Sequence, residues 1–423
     1  MQAGGSDDIG NCVTAPSTLH LRVASLCFLV LFLEGYDITA MSYAIPSLTE
    51  AWHAKPPQFT AALTAGSVGL LLGAVSAGFL GDRLGRKPVL IGCTMIFGVF
   101  SLSTAWSTGL GWLAVLRFLT GLGLGGGIPI AIALATDYAP QRNPRRLVIL
   151  MSAGISVGNT IGGFIAAQIV RLSSWEMIFI VGGLLPILVI PLMIVFMPES
   201  SALRAAHATE SAVRRATPFD LFRHGLALRT SVLWMVNLFN LVGNYFILFW
   251  LPSILHAKGL SPSAAILATT MYALGTILGA LVTAPIVDRL GVERVIACIL
   301  CMGALCVLLI GTLDLPFAVL CVVICAAGMG IGGCQHGINA VSGALYPPPI
   351  RSTGTGWALA LGRVGQIGGP LIGGMLLGLG WTSRDIFLAA SVPAFCVAIG
   401  MATLGWLRQA YDGRAATTAA VGP

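Results

Sequence analysis

Apolar residues come in runs of about 20 from one end of the chain to the other, separated by short polar stretches. The runs cover residues 23–47, 61–81, 89–108, 112–136, 147–170, 177–197, 230–252, 262–285, 293–313, 316–340, 352–379 and 386–407. At about 1.5 Å of rise per residue, a helix of that length crosses the roughly 30 Å of hydrocarbon in a bilayer. The pattern therefore predicts an all-α membrane protein with twelve transmembrane helices. The first run is longer than a signal-peptide core and no small-residue cleavage site follows it, so it is expected to remain as a span.

Composition and charge agree with this pattern. Of 423 residues, 56% are apolar and 9% charged, against about 25% charged in a soluble domain. Seventeen of the 23 Lys and Arg residues fall in the two tails and every second loop. Four (Lys55, Arg171, Lys258 and Arg384) fall in the opposite loops, and Arg117 and Arg363 lie within spans. Basic residues mark the cytoplasmic side. Both termini and the central loop are thus expected in the cytoplasm, with the chain spanning the cell inner membrane many times. The net charge of +7 then follows from topology, and no basic domain is left to bind nucleic acid. Nine of the ten Cys lie in apolar runs and none joins a Cys/His cluster in a loop. Small apolar filler is expected, with no metal and no cofactor.

The second half of the chain repeats the first. "GDRLGRKPVLI" from Gly81 returns as "VDRLGVERVIA" from Val287, displaced by 206, and "GLGLGGGIP" from Gly121 returns as "GMGIGGCQH" from Gly328, displaced by 207. Tyr138-Ala-Pro and Tyr346-Pro-Pro follow these in turn. Gly154, Gly158, Gly162 and Gly163 correspond to Gly365, Gly369, Gly373 and Gly374, displaced by 211. The expected organisation is a tail (1–22), a six-helix half (23–197), a central loop (198–229), a second six-helix half (230–407) and a tail (408–423). Parallel repeats with a site between them near the membrane midplane are a transporter architecture.

"GFLGDRLGRKP", the "RFLTG" that holds Arg117 and Gly121, and the duplicated twelve-span layout resemble the major facilitator superfamily over essentially the whole chain. Within it, "GYD" in span 1, "RFLTGLGLGG" running on to "DYAPQR", "MPES", and "YPPPIRSTGTGWALALGRVGQIGGPLIGG" resemble the aromatic acid:proton symporters. The resemblance implies two pseudo-symmetric halves, packing of span 1 against span 4, and a loop after span 2 that latches the halves in one state. Asp82, Arg83 and Arg86 match that loop, and Asp137 and Arg142 are candidates for the same gate. Where that family has Asp-Gly-x-Asp, this chain has Glu34-Gly35-Tyr36-Asp37. The extra methylene keeps the acid and changes its reach.

Glu34 and Asp37 are three residues apart, on one helix face about midway along span 1. An ionised carboxylate at that depth costs about 2.5–3.5 kcal/mol, so such groups face a cavity or a partner. Burial favours the neutral acid, which suits uptake of a proton on one side and release on the other. Arg117, one turn into span 4, needs a counter-ion. Protonation of Asp37 would free it, coupling a proton to a change of shape, and the bland alternative is a permanent structural ion pair. Arg363 has no acid beside it in its half and suits a substrate carboxylate. Arg351, at the mouth of the same helix, suits topology or gating; both match basic positions in the resembled family. Gln335 and Asn339 share a face of span 10, and His336 can titrate near neutrality or simply be packed. Tyr36, Asn240, Asn244, Tyr245, Trp250 and Trp357 could line a pocket for an aromatic ring or serve as packing.

The expected function is proton-coupled uptake of a small aromatic carboxylate such as benzoate, hydroxybenzoate or protocatechuate, by a monomer alternating its access. The alternatives are another organic anion (muconate or a quinate-like acid) and a drug/proton antiporter. Antiporters of the superfamily resemble GxxxGPxxGG in span 5, where this chain has Asn159 in place of Pro. No Ser/His/Asp arrangement, metal cluster or extramembrane domain suggests an enzyme or sensor.

Overall fold

Thirteen helices among the described residues carry the twelve spans, because the tenth span is broken. The computed structural model describes residues 17–138, 144–198, 218–223, 226–347 and 350–420. The first half comprises α1 (Ser17–Ala51), α2 (Thr60–Leu84), α3 (Arg86–Thr104), α4 (Leu110–Asp137), α5 (Pro144–Leu172) and α6 (Glu176–Phe196). The second comprises α7 (Ala227–Ala257), α8 (Pro262–Leu290), α9 (Val292–Thr312), α10 (Phe317–Ile331), α11 (Gln335–Leu345), α12 (Arg351–Gly378) and α13 (Ser383–Ala420). By length and composition, eleven spans qualify as membrane crossings, with α10 and α11 counted as one. The twelfth, α12, is long enough, but its glycines and its Arg363 and Gln366 make it less apolar.

The expected continuous run 316–340 gives way at Gly332, Gly333 and Cys334, a turn between α10 and α11. Both glycine amides bond the Gly328 carbonyl at 3.0 Å, and a side chain at either would run into α8: at Gly332 into Thr276, at Gly333 into the backbone of Gly279. Two adjacent glycines hold helical geometry weakly, and the tight approach of α8 uses that weakness. Discontinuous spans of this kind place polar backbone and side chains at membrane depth.

The repeat seen in the sequence recurs in the packing. In lipid, helices gain nothing by hiding apolar surface from one another, so they associate through small residues that let backbones touch. Gly158 of α5 rests on the Phe32 carbonyl of α1, and at its counterpart Gly369 of α12 a Cβ would stand 2.8 Å from the Val242 carbonyl of α7. The two related loops also turn alike. Gly85 (φ 101°) ends α2 and Gly291 (φ 85°) ends α8, each in a region of backbone space that side-chain-bearing residues rarely enter.

The buried apolar core is divided between the two ends of the bundle. At the end remote from both termini, the distal end, one cluster draws on both halves, with Tyr43, Leu48 and Phe59 from the first and Trp250, Ile266 and Tyr272 from the second. Towards the termini there are two separate clusters, one from each half. Polar bonds between the halves are also distal. Ser42 Oγ donates to the Leu248 and Phe249 carbonyls (3.0 and 2.8 Å), and Ser263 Oγ donates to the Ala167 carbonyl (2.9 Å). His256 Nε2 stands 3.3 Å from Glu50 Oε1. The halves are thus sealed distally, with separate cores proximally.

Candidate transport site

Four helices of the first half converge on Asp37. The residue is 2% exposed, and Arg117 is 4% exposed. Arg117, seven residues or two turns into α4 rather than one, places Nη1 3.3 Å from Asp37 Oδ2. Its Nη2 donates to the hydroxyls of Thr104 (2.8 Å) and Thr120 (3.0 Å). The guanidinium carbon lies 4.9 Å from the ring centre of Phe179 on α6, a cation–π arrangement. Ser101 of α3 donates to Asp37 Oδ1. The Thr104 and Thr120 hydroxyls donate onward to the carbonyls of Phe100 and Leu116, each at 2.8 Å, so their oxygens are turned to accept from Arg117. Arg117 Nε has no partner among the described residues. The pair is therefore oriented from several sides while the Nε–H of the guanidinium remains unspent, an arrangement open to exchange of partners.

Glu34 does not join this pair. It is fully buried one turn nearer the proximal end, and neither carboxyl oxygen has a hydrogen-bond partner among the described residues. Its neighbours Leu31 and Leu33 belong to the first half's own apolar cluster. Nothing among the described residues compensates a charge at Glu34, and a buried carboxylate left unpaired is costly. Its extra methylene is accommodated by Gly127 of α4, where a Cβ would overlap Glu34 Oε1. Gly127→Ala is expected to overpack this spot and destabilise the protein by about 1–3 kcal/mol, read as a lowered unfolding temperature in detergent. Glu34→Asp in the same chain should recover part of the loss by withdrawing the carboxyl.

Between the halves, beside the ion pair, lies a cavity of about 40 Å³. Asp37, Arg117, Thr120 and Ser67 form one wall, and Phe249 and Gln366 of the second half form another. It has room for water but is far below the roughly 300 Å³ or more of small-molecule sites. Arg363 of α12 is half-buried and donates from Nη1 to Gln366 Oε1 at 2.8 Å. Tyr245 packs edge-on against Phe249, ring centres 5.4 Å apart, so it backs the cavity without entering it.

The other second-half candidates form short polar chains around the broken span. Asn240 Nδ2 donates to Gln335 Oε1 (2.6 Å) and Gln335 Nε2 to Asn339 Oδ1 (2.9 Å), confirming the shared face. Asn244 accepts from the Tyr272 hydroxyl at 2.8 Å. His336 is exposed and has no hydrogen bond or ion pair among the described residues. Tyr36 sits in the distal core and its hydroxyl donates to the Ile178 carbonyl (2.9 Å). Trp250 is likewise core, donating to the Pro370 carbonyl (2.9 Å). Trp357 stacks on Trp234 at 6.0 Å near the proximal end.

Of the gate candidates, Arg86 pairs with Asp137 and donates to the Ala133 carbonyl at 2.9 Å, tying the loop to α4 of the same half. Arg83 lies 4.0 Å over the Phe79 ring, Asp82 is exposed, and Arg351 Nε donates to the Tyr346 carbonyl at 3.2 Å. Arg142 lies outside the described residues. Sequence reasoning missed Ser101, Thr104, Thr120, Phe179, Ser67 and Gln366. Two signals were present: the hydroxyls of Ser101 and Thr104 share a helix face, and Gln366 follows Arg363 by three.

A buried ion pair beside a cavity between the halves of a duplicated twelve-span bundle is the arrangement of a membrane transporter. The chain belongs to the Major Facilitator Superfamily, whose family model matches residues 27–261 and, a second time, residues 233–421. It is 34% identical to the gallate transporter of Pseudomonas putida, over 90% of this chain and 91% of that protein. It is 32% identical to the 4-hydroxybenzoate transporter PcaK of the same organism, over 93% and 94%. The fold also matches the crystal structure of a nucleoside transporter, NupG, with TM-score 0.76 at 15% identity, covering 91% of this chain and 99% of that one. The protein is a multi-pass membrane transporter related to aromatic-acid transporters.

Proposed function

We propose that the protein imports a small aromatic carboxylate, such as benzoate, a hydroxybenzoate or protocatechuate, together with protons across the inner membrane. The observation that carries this reading is the buried Asp37–Arg117 pair on the wall of a cavity between the halves. A proton arriving at Asp37 would neutralise the carboxylate and release Arg117, and loss of the proton would restore the pair. One buried bond can thus bias the two arrangements of the carrier in opposite directions. Glu34, buried without a hydrogen-bond partner among the described residues, is a second group able to carry a proton. In the second half, Arg363 supplies the charge for an anion, while Gln335, Asn339, Asn240, Asn244, Tyr245 and His336 line its route. Taken with the expected cytoplasmic termini, the sealed distal end would face outward and this arrangement would be the inward-facing one. Asp82, Arg83, Arg86, Asp137, Arg142 and Arg351 would then form the gate on the cytoplasmic side.

Names of the relatives support an aromatic acid as cargo. The test is counterflow of labelled benzoate, 4-hydroxybenzoate and gallate in proteoliposomes, with and without a pH gradient. Exchange of at least one acid, with accumulation only when the outside is acidic, is the expected result. Exchange of none, or accumulation of cationic drugs against the same gradient, overturns the proposal.

A further inference from the structure

Gln366 lies on α12 one turn beyond Arg363. It is 2% exposed, yet it lines the cavity opposite Asp37 and Arg117. Its orientation is set by chemistry. Arg363 Nη1 stands 2.8 Å from Oε1, and a guanidinium donates and never accepts. The amide oxygen therefore faces Arg363, and the amide NH2 is left for the cavity. A hydrogen bond from a cation polarises the amide and strengthens its N–H donors.

The charges on the two walls differ. Arg117 has its counter-ion in Asp37, whereas no carboxylate among the described residues lies within ion-pair distance of Arg363. The second-half wall therefore carries an uncompensated positive charge, and Gln366 is where that charge meets the cavity. Much of the remaining lining is apolar, including Leu63, Leu70, Leu124 and Phe249, which leaves an anionic group few other donors.

We propose that Gln366 donates directly to the carboxylate of the transported acid, and that Arg363 acts behind it as a positioning residue that orients and polarises the amide. This rests on the reading of the chain as an aromatic-acid carrier and names the second-half group that touches the cargo. It also places the bound acid between the Gln366 wall and the Arg117 wall, and because the cavity of about 40 Å³ is too small for an aromatic ring, the walls must part to admit it.

Initial-rate counterflow of labelled 4-hydroxybenzoate tests it, using wild type, Gln366→Leu, Arg363→Met, the double variant, and Gln366→Glu. Gln366→Leu is expected to raise KM by about 10- to 150-fold, the size of a hydrogen bond to a charged group, with the maximal rate little changed. Arg363→Met should raise KM in the wild-type background and add almost nothing to Gln366→Leu, because it acts through the amide. Gln366→Glu keeps the volume and still accepts from Arg363, but offers no donor and places a negative charge on the wall; it should lose saturable uptake, and it carries the test if the Leu variant does not fold. An unchanged KM in Gln366→Leu, full additivity in the double variant, or wild-type affinity in Gln366→Glu overturns the inference. Wild-type protein that exchanges no aromatic acid overturns the functional reading and this inference together, whereas wild-type exchange with unchanged variants overturns this inference alone.

Discussion

Asp37→Asn abolishes accumulation driven by a pH gradient while leaving exchange of the solute measurable. That is the largest effect expected of a conservative replacement in this protein. Asn has nearly the volume of Asp and can still accept from Ser101, but it cannot gain or lose a proton in this range. A coupled carrier moving one proton with one monovalent anion can concentrate its cargo about tenfold per pH unit, about 1.4 kcal/mol. The variant should bring the ratio of inner to outer solute to about one. The same change strands Arg117 in a buried site, and removing one partner of a buried pair typically costs about 3–5 kcal/mol. A fall in folded protein is therefore expected alongside the loss of coupling. Asp37→Asn with Arg117→Gln separates the two effects, because no unpaired charge remains: protein yield should recover and accumulation should not. Wild-type accumulation in either variant would remove Asp37 from the coupling step.

Much of the bundle was legible because a bilayer imposes a simple rule. Every backbone polar group at depth must be satisfied within a helix, so the length of each apolar run maps directly onto a span. The duplication was legible for the same reason, since Gly85 and Gly291 occupy equivalent tight turns and Gly158 and Gly369 equivalent close contacts. The break at Gly332–Cys334 was not, because its glycines look like the other small-residue rows of the chain until α8 is seen pressing on them. At the site, spacing placed Glu34 and Asp37 on one face but could not show that a single turn separates an ion pair from an isolated carboxyl. That depends on what α4 presents at each level: Arg117 against Asp37 and Gly127 against Glu34. Tyr36 is a similar case. It could have lined a pocket or served as packing, and its side chain turns towards α6 and the Ile178 carbonyl.

The distal seal yields the second large effect. Gly163 of α5 faces α8 across the seam, where a Cβ would overlap Thr270 Oγ1 and stand 2.9 Å from the Tyr43 hydroxyl and 3.0 Å from Thr270 Cβ. The Thr270 hydroxyl is held by its bond to the Ile266 carbonyl (2.8 Å) and its Cβ is fixed to α8, so Gly163→Ala should wedge the distal ends of the halves apart. The contact lies between halves rather than inside one, so each half should keep its own packing and the cost should fall on the closed arrangement. Overpacking of about 1–3 kcal/mol corresponds to a shift of about 5- to 150-fold in the balance between open and closed. The maximal transport rate should fall within that range with little change in the amount of protein. A cysteine introduced at Ser42, which bonds across the seam to Leu248 and Phe249, should become more reactive to an impermeant maleimide added from outside. Adding Thr270→Ala removes the overlapping hydroxyl but leaves the Cβ, and should restore part of the rate. Normal transport by Gly163→Ala, or a Ser42→Cys variant equally protected with and without the wedge, would mean that distal closure does not depend on the close approach at Gly163.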